Sequence, residues 1–276
     1  RTLESYHYLI DKHIKPDLGH VKLSQLRPEH LQNLYSLKLN QGLSRRTVQY
    51  IHAVIHKSLN QALKWGIVAR NVADVAEPPS PQKTTPSSLT PAQVNRLLAA
   101  AREDRLYPLY VLAISTGMRQ GELLGLQWGD IDFENGEIHV NHSLQLLLGK
   151  GLVLTEPKTE ASRRSIKIPP IAVEALKTIP NTGGYVFKTS NGTPFSPRNL
   201  LRYFHRILEK ADLPMMRFHD LRHTFASLLL NENVHPKIVQ EMLGHSTISL
   251  TLNTYSHLLP ERQQEAADKL EKLMRI

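Results

Sequence analysis

The chain has 276 residues, near the upper limit for a single hydrophobic core, and 41% hydrophobic content, enough to build one. Its 34 Lys+Arg outnumber 25 Asp+Glu, and the net +9 makes a polyanion the natural partner of its surface. The absence of cysteine excludes a disulfide scaffold, a thiolate zinc site, an iron–sulfur cluster and a cysteine nucleophile. No run approaches the roughly 18 apolar residues of a membrane span.

No secretory h-region opens the sequence, so the expectation is a soluble, cytoplasmic, basic protein. Arg1 in place of Met suggests a piece of a longer chain. Residues 1–76 read as an all-helical domain. Leu3, Tyr6, Leu9 and Ile10 recur at helical spacing over 2–14, and a second helix runs from Pro28 towards Gly42. A third starts at Ser44 as N-cap, repeats Val48, Ile51, Ile55, Leu59 and Ala62, and ends at Gly66. Its other surfaces carry Arg45, Arg46, His52, His56, Lys57 and Lys64, which form either a solvated face or a phosphate-binding one. Residues 1–80 hold 11 Lys+Arg against 6 Asp+Glu and six of the 14 histidines, so charge density is highest there.

Residues 77–91, EPPSPQKTTPSSLTP, contain five prolines and no apolar period, which predicts an extended linker. Beyond it, Thr90-Pro91-Ala92-Gln93 is a capping-box start, and a second helix over about 106–115 breaks at Gly117. A short helix at 121–127 precedes strands at 130–133 and 137–142, joined by the turn Asn135-Gly136. Residues 144–155 and 163–168 are expected to form another strand pair, with Lys158 in their connection. From Pro169 the pattern is helical: 170–178, 197–211, 219–232, 236–243, 247–256 and 260–275.

Three short segments carry chemistry. In His219-Asp220-Leu221-Arg222-His223, Leu221, Phe225 and Leu228 form the buried face, while His219, Arg222 and His223 point away from it. An imidazole and a guanidinium three residues apart can converge on one phosphate. The alternatives are a plain polar helix end, or a zinc site by analogy with HExxH, where the intervening Arg222 would oppose a dication. In Ser115-Thr116-Gly117-Met118-Arg119-Gln120-Gly121-Glu122, an Arg between two glycines can bring its backbone close to a ligand. Glu122 can pin its guanidinium, or the pair can simply bridge its own helix. In Leu243-Gly244-His245, the histidine lies in a tight corner ten residues before Tyr255, which by itself reads as a packing residue.

Taken in order, these words are similar to those of the tyrosine recombinase (phage integrase) family: TGMRxGELLxLxWxDID at 116–132, KTxxSxRxI at 158–166, HDLRHTFAS at 219–227 and LGHSTISxTxxTYSH at 243–257. The match is specific over about 90–257, and the preceding helical domain resembles the family's core-binding domain more loosely. The resemblance implies a mainly α fold with a small antiparallel β-sheet in the catalytic domain (92–259), arranged with domain 1–76 as a two-domain, C-shaped clamp on duplex DNA. It implies site-specific strand exchange through a 3′-phosphotyrosyl intermediate, in the service of a phage or other mobile element.

Tyr255 would be the nucleophile, Arg119 and Arg222 the clamp on nonbridging oxygens, and His219 a base or hydrogen-bond partner. Lys158 would be the general acid, His245 a phosphate donor and Glu122 a support for Arg119. Arg45, Arg46, Lys57 and Lys64 become DNA contacts. No metal, nucleotide or other cofactor is implied, and the sequence has no GxxxxGK(S/T) phosphate loop. The implied partners are double-stranded recombination sites and accessory DNA-bending or directionality proteins, with no membrane. The enzyme would be a monomer in solution, a homo-tetramer on DNA and nucleoid-associated in a bacterium. The 260–276 helix, bearing Leu270, Leu273, Met274 and Ile276, would pack on a neighbouring subunit or on its own domain. An N-terminal arm-binding domain is common in such integrases, and Arg1 suits a chain lacking one. Competing readings are a type IB topoisomerase and a DNA-binding module with an inactive site.

Overall fold

The computed structural model describes residues 2–80, 87–147, 149–156, 163–255 and 263–274. Lys158, Ile276 and the centre of the proline-rich linker lie outside the described residues. The chain divides into two compact units, Arg1–Thr85 and Pro86–Ile276.

The first unit is helical. α1 (Thr2–Leu9) runs through a π-helical turn (Ile10–Ile14) into α2 (Lys15–Leu18), followed by α3 (Pro28–Asn40) and α4 (Arg45–Lys64). α4 starts where the Ser44 hydroxyl accepts the Thr47 amide hydrogen (3.1 Å), and it stops at Gly66, held at φ +70°. Val48, Ile51, Ile55 and Leu59, on one stripe of α4, pack with Leu31, Leu34 and Tyr35 of α3. Each contributes about 1.5–3 kcal/mol by leaving water.

The second unit is built on α6 (Tyr107–Thr116), whose sequence YPLYVLAIST is apolar on all sides because helices cover it all round. α5 (Pro91–Ala101) precedes it and opens with the expected reciprocal cap between Thr90 and Gln93. Leu89 is buried, and its amide donates to the Thr224 hydroxyl (3.0 Å), so the end of the proline-rich segment is part of this unit.

After α7 (Gln120–Gly125), β1 (Ile131–Asp132) and β2 (Glu137–His139) pair antiparallel across the Asn135-Gly136 turn. The next pairing corrects the expectation. Residues 144–155 are not one strand but a hairpin, β3 (Ser143–Leu147) with β4 (Gly151–Thr155). β5 (Ser165–Lys167) pairs with β2 instead, completing a three-stranded sheet in the order β1-β2-β5. The turn in the apolar run lies at Gly149-Lys150-Gly151, where both glycines have positive φ.

α8 (Pro170–Lys177), α9 (Pro197–Lys210), α10 (Asp220–Asn231), α11 (Pro236–Leu243), α12 (Ile248–Tyr255) and α13 (Gln263–Met274) follow, close to the expected spans. Leu270, Leu273 and Met274 of α13 are exposed. Among the described residues, no helix is long and apolar enough to cross a membrane.

Candidate active site

Chain reversals at Gly117 and Gly244 bring the charged residues together. α6 ends at Gly117 in the left-handed region (φ +61°), which lets the chain reverse and start α7 with Arg119 as its N-cap. A Cβ at Gly117 would strike the Phe225 ring and lie 2.8 Å from Leu243, so this corner is wedged between α10 and α11. Gly121 lies flat on β3, where a Cβ would meet the Leu144 carbonyl at 2.8 Å. The two glycines flanking Arg119 therefore serve close packing within the protein rather than a close backbone approach to a ligand.

Glu122 is buried and organises the first pair of cations. One carboxylate oxygen accepts from the Arg119 guanidinium (2.7 Å), and the other accepts from the Arg119 amide (2.8 Å) and from Arg164 (2.9 Å). Burial alone would raise its pKa, but Arg164 and then Arg119 hold the carboxyl below its ordinary range.

Arg222 is a buried cation. Its side chain does point away from the apolar face formed by Leu221 and Phe225, yet only 4% of the residue is exposed. It donates to the Gly117 carbonyl (2.8 Å) and the Leu243 carbonyl (2.6 Å). Burial, then Arg119, pulls its pKa down to about 9, which still leaves it cationic at neutral pH.

The end of α11 is the common target. Arg164 donates through Nε to the Met242 carbonyl (2.6 Å), Arg222 to Leu243, and Arg119 to Gly244 (3.0 Å). Three successive carbonyls that the helix cannot satisfy internally are each taken by a different arginine, at the negative end of the helix dipole. Arg119 and Arg222 each use two of five guanidinium N–H groups in these bonds, so donors remain on both for a ligand. Three arginines against one glutamate leave this cluster with a net charge of +2.

The histidines and the tyrosine form the other wall. Tyr255, at the end of α12, is 2% exposed, and its hydroxyl lies 2.6 Å from Nδ1 of His223. Burial pushes the phenol up to about 12, partly countered by Arg222. His219 packs edge-on against His223, with ring centroids 5.3 Å apart, and remains solvent-exposed. Desolvation, followed by His223 and Arg222, depresses its pKa. In the Gly244 corner, His245 Nδ1 lies 2.9 Å from the buried Thr251 hydroxyl, and burial with Arg222 and Arg119 lowers its pKa to about 4.

Arg119, Glu122, Arg222, His219, His245 and Tyr255 thus belong to one region of the second unit, while Lys158 lies outside the described residues. Two contributors had no role in the sequence reading. Arg164 stands inside the KTxxSxRxI word and His223 inside HDLRH, but neither has a local signal beyond its place in the motif.

Arg45, Arg46, Lys57 and Lys64, in the first unit, are all exposed. At 100° per residue, Arg46, Lys57 and Lys64 share one face of α4, while Arg45 lies about a quarter-turn away. Arg46 stacks over Tyr50 and Lys57 over Tyr6. His52 and His56 are already partnered, by Tyr35 (2.7 Å) and Asp74 (2.8 Å).

Comparison with known proteins gives a consistent result. Residues 87–262 match the phage integrase family, and residues 1–39 match the phage integrase N-terminal SAM-like domain. A tyrosine recombinase XerC-like protein of Caldanaerobacter subterraneus subsp. tengcongensis is 32% identical, over 93% of this chain and 74% of its own length. The ICEBs1 integrase of Bacillus subtilis is 29% identical, over 97% of this chain and 76% of its own. The Tn1549 transposon integrase, solved in complex with a circular intermediate DNA, superimposes with a TM-score of 0.84 at 25% identity. That match covers 98% of this chain and 92% of the other.

Proposed function

The chain belongs to the phage integrase family of tyrosine recombinases, and we propose that it breaks and rejoins DNA of a mobile element through Tyr255. The topoisomerase and inactive-module readings are not favoured beside relatives named as recombinases and integrases. Residues 1–76 act as the core-type DNA-binding domain, 77–91 as a linker and 92–259 as the catalytic domain.

One observation carries the assignment of roles: a +2 cluster of Arg119, Arg164, Arg222 and Glu122 places its buried Arg222 within electrostatic reach of the buried Tyr255 hydroxyl. A phosphodiester carries one negative charge, and a pentavalent phosphorus under attack carries two. The cluster thus matches the transition state more closely than the ground state, the condition for electrostatic catalysis. Tyr255 attacks phosphorus, and a 3′-phosphotyrosyl bond forms as the bond to the 5′-oxygen breaks. Arg119 and Arg222 hold the nonbridging oxygens with the donors their carbonyl bonds leave free. Glu122 holds Arg119 in place. His219 contributes a hydrogen bond from the exposed side of the pocket.

His245 Nδ1 pairs with the Thr251 hydroxyl (2.9 Å); in the tautomer that accepts from it, the ring proton is on Nε2, and in this role it donates to phosphate. Lys158 protonates the departing 5′-oxygen. The phosphotyrosine conserves the energy of the broken linkage, so no nucleotide is consumed.

Arg46, Lys57 and Lys64 contact the DNA backbone from one face of α4, and Arg45 does so from its edge. The exposed Leu270, Leu273 and Met274 of α13 cover a neighbouring subunit in a tetramer on DNA.

The test is a nicked suicide duplex carrying one cognate site. The wild-type chain forms a covalent complex with it and Tyr255→Phe forms none. An undiminished complex in that variant removes Tyr255 as the nucleophile. Product exchange between two sites then distinguishes recombination from simple relaxation.

A further inference from the structure

The nucleophile's proton has to go somewhere, and the structure limits its destinations. Tyr255 is buried, and among the described residues the group within hydrogen-bond distance of its hydroxyl is Nδ1 of His223, at 2.6 Å, with the two rings inclined at 57°. Among the described residues, His219 makes no hydrogen bond to Tyr255; it meets the His223 ring in a near-perpendicular contact.

We propose that His223 is a catalytic residue of this site and that its Nδ1 receives the phenolic proton of Tyr255 as the phenol oxygen bonds to phosphorus. The inference rests on the reading of Tyr255 as nucleophile given above. In cleavage the O–H bond breaks, an N–H bond forms on His223, and the O–P bond forms as phosphorus releases the 5′-oxygen. The leaving oxygen takes its proton from a separate acid. In rejoining, a 5′-hydroxyl gives its proton back to the conjugate base of that acid as its oxygen attacks, the phenol oxygen leaves phosphorus, and His223 returns the proton to the phenol oxygen. The site ends each cycle unchanged.

The surroundings suit a base. His223 is half-buried, and burial holds its pKa below the ordinary histidine range, with Arg217 and Arg222 acting in the same sense and Asp220 opposing them. The ring is therefore neutral at pH 7, with a lone pair to offer. Asp220 and Arg222 lie on its own helix, His219 stands at that helix's start and Arg217 in the turn before it. Tyr255 faces it from α12, and His245 lies in the corner between α11 and α12. Two imidazoles in contact do not both charge easily, and the His223 ring lowers the pKa of His219.

The experiment compares single-turnover cleavage of the suicide duplex by the wild type, His223→Asn and His223→Ala. DNA affinity and thermal midpoint are measured alongside. Asn places a hydrogen-bonding atom where Nδ1 stands but cannot take a proton. The expected result is a loss of about 100-fold or more in cleavage for both variants, with affinity within about twofold of wild type. Free imidazole should restore His223→Ala at least tenfold, in proportion to its neutral form. Cleavage by His223→Asn within a few-fold of wild type overturns the proposal, because a hydrogen bond alone then suffices. Failure of imidazole to act on a folded, DNA-binding His223→Ala also overturns it. If the wild-type complex itself persists in Tyr255→Phe, the underlying nucleophile assignment fails instead, a distinguishable outcome.

Discussion

Removing the Glu122 carboxylate takes an anionic partner from two arginines at once. Its partner Arg164 has a side chain only 7% exposed and its own is 5% exposed, so this pair is buried on both sides, whereas the Arg119 side chain is 38% exposed. Breaking a buried pair by deleting one member costs about 3–5 kcal/mol. The Arg119 pair, screened by solvent, adds about 0–1 kcal/mol, and the lost amide cap about 1 kcal/mol. Glu122→Ala is therefore expected to destabilise the second unit by about 5 kcal/mol, and Glu122→Gln, which keeps size and one acceptor, by about half that. The assay is urea unfolding followed by fluorescence in a Trp65→Phe background, which leaves the buried Trp128 of the second unit as sole reporter. Because Glu122 has its pKa depressed in the fold, its contribution is present above the ordinary carboxylate value of 4.5 and lost as pH falls through the lower folded value. The gap between wild type and Glu122→Gln should thus narrow below about pH 4.5. A change under about 1 kcal/mol for Glu122→Ala refutes the reasoning, since it means that the arginines are held without the carboxylate.

Gly117→Ala should cost about 2–3 kcal/mol in the same assay, from the positive φ and the collision with Phe225; a loss below about 1 kcal/mol contradicts the wedge. Arg222→Lys keeps the charge but cannot fork between the Gly117 and Leu243 carbonyls, so suicide-duplex cleavage should fall about 100-fold or more, and an active Lys variant counts against the clamp. His245 has its folded pKa lowered to about 4, so its contribution is complete above the unfolded value of 6.5 and lost as pH falls from there through 4. The unfolding midpoint should drop over that window, and His245→Gln should flatten the drop. In DNA titrations against salt, Arg46→Ala and Lys64→Ala should each reduce the slope of log K against log salt by about 1. An unchanged slope removes that residue from the phosphate contacts.

Helices were legible where a cap and an apolar period coincided, as at Ser44 with Val48, Ile51 and Ile55, or Thr90 with Gln93. The strand pairing after β2 is not legible locally because SLQLLLGKGLVLT is apolar on both sides of its turn. Hydrophobicity there outweighed the Gly149-Lys150-Gly151 signal, and the pairing of β5 with β2 is a long-range choice that no local pattern records. Motif order placed Arg119, Arg222 and Tyr255 correctly in one unit. What no sequence pattern records is that the Gly117 and Leu243 carbonyls are what satisfy Arg222. Arg164 and His223 escaped for the same reason: their partners are a main-chain oxygen at 242 and a side chain 32 residues away.

The arginines that meet the end of α11 grip its main chain, not its side chains. Point substitutions at exposed positions of this helix, such as Ile238 or Glu241, leave that grip in place and are open to drift or redesign. A single-residue deletion between Pro236 and Gly244 is a different event. It turns the helix end by about 100° and withdraws all three oxygens together. In this segment spelling is free and length is not, and a library built there should vary letters while holding the count.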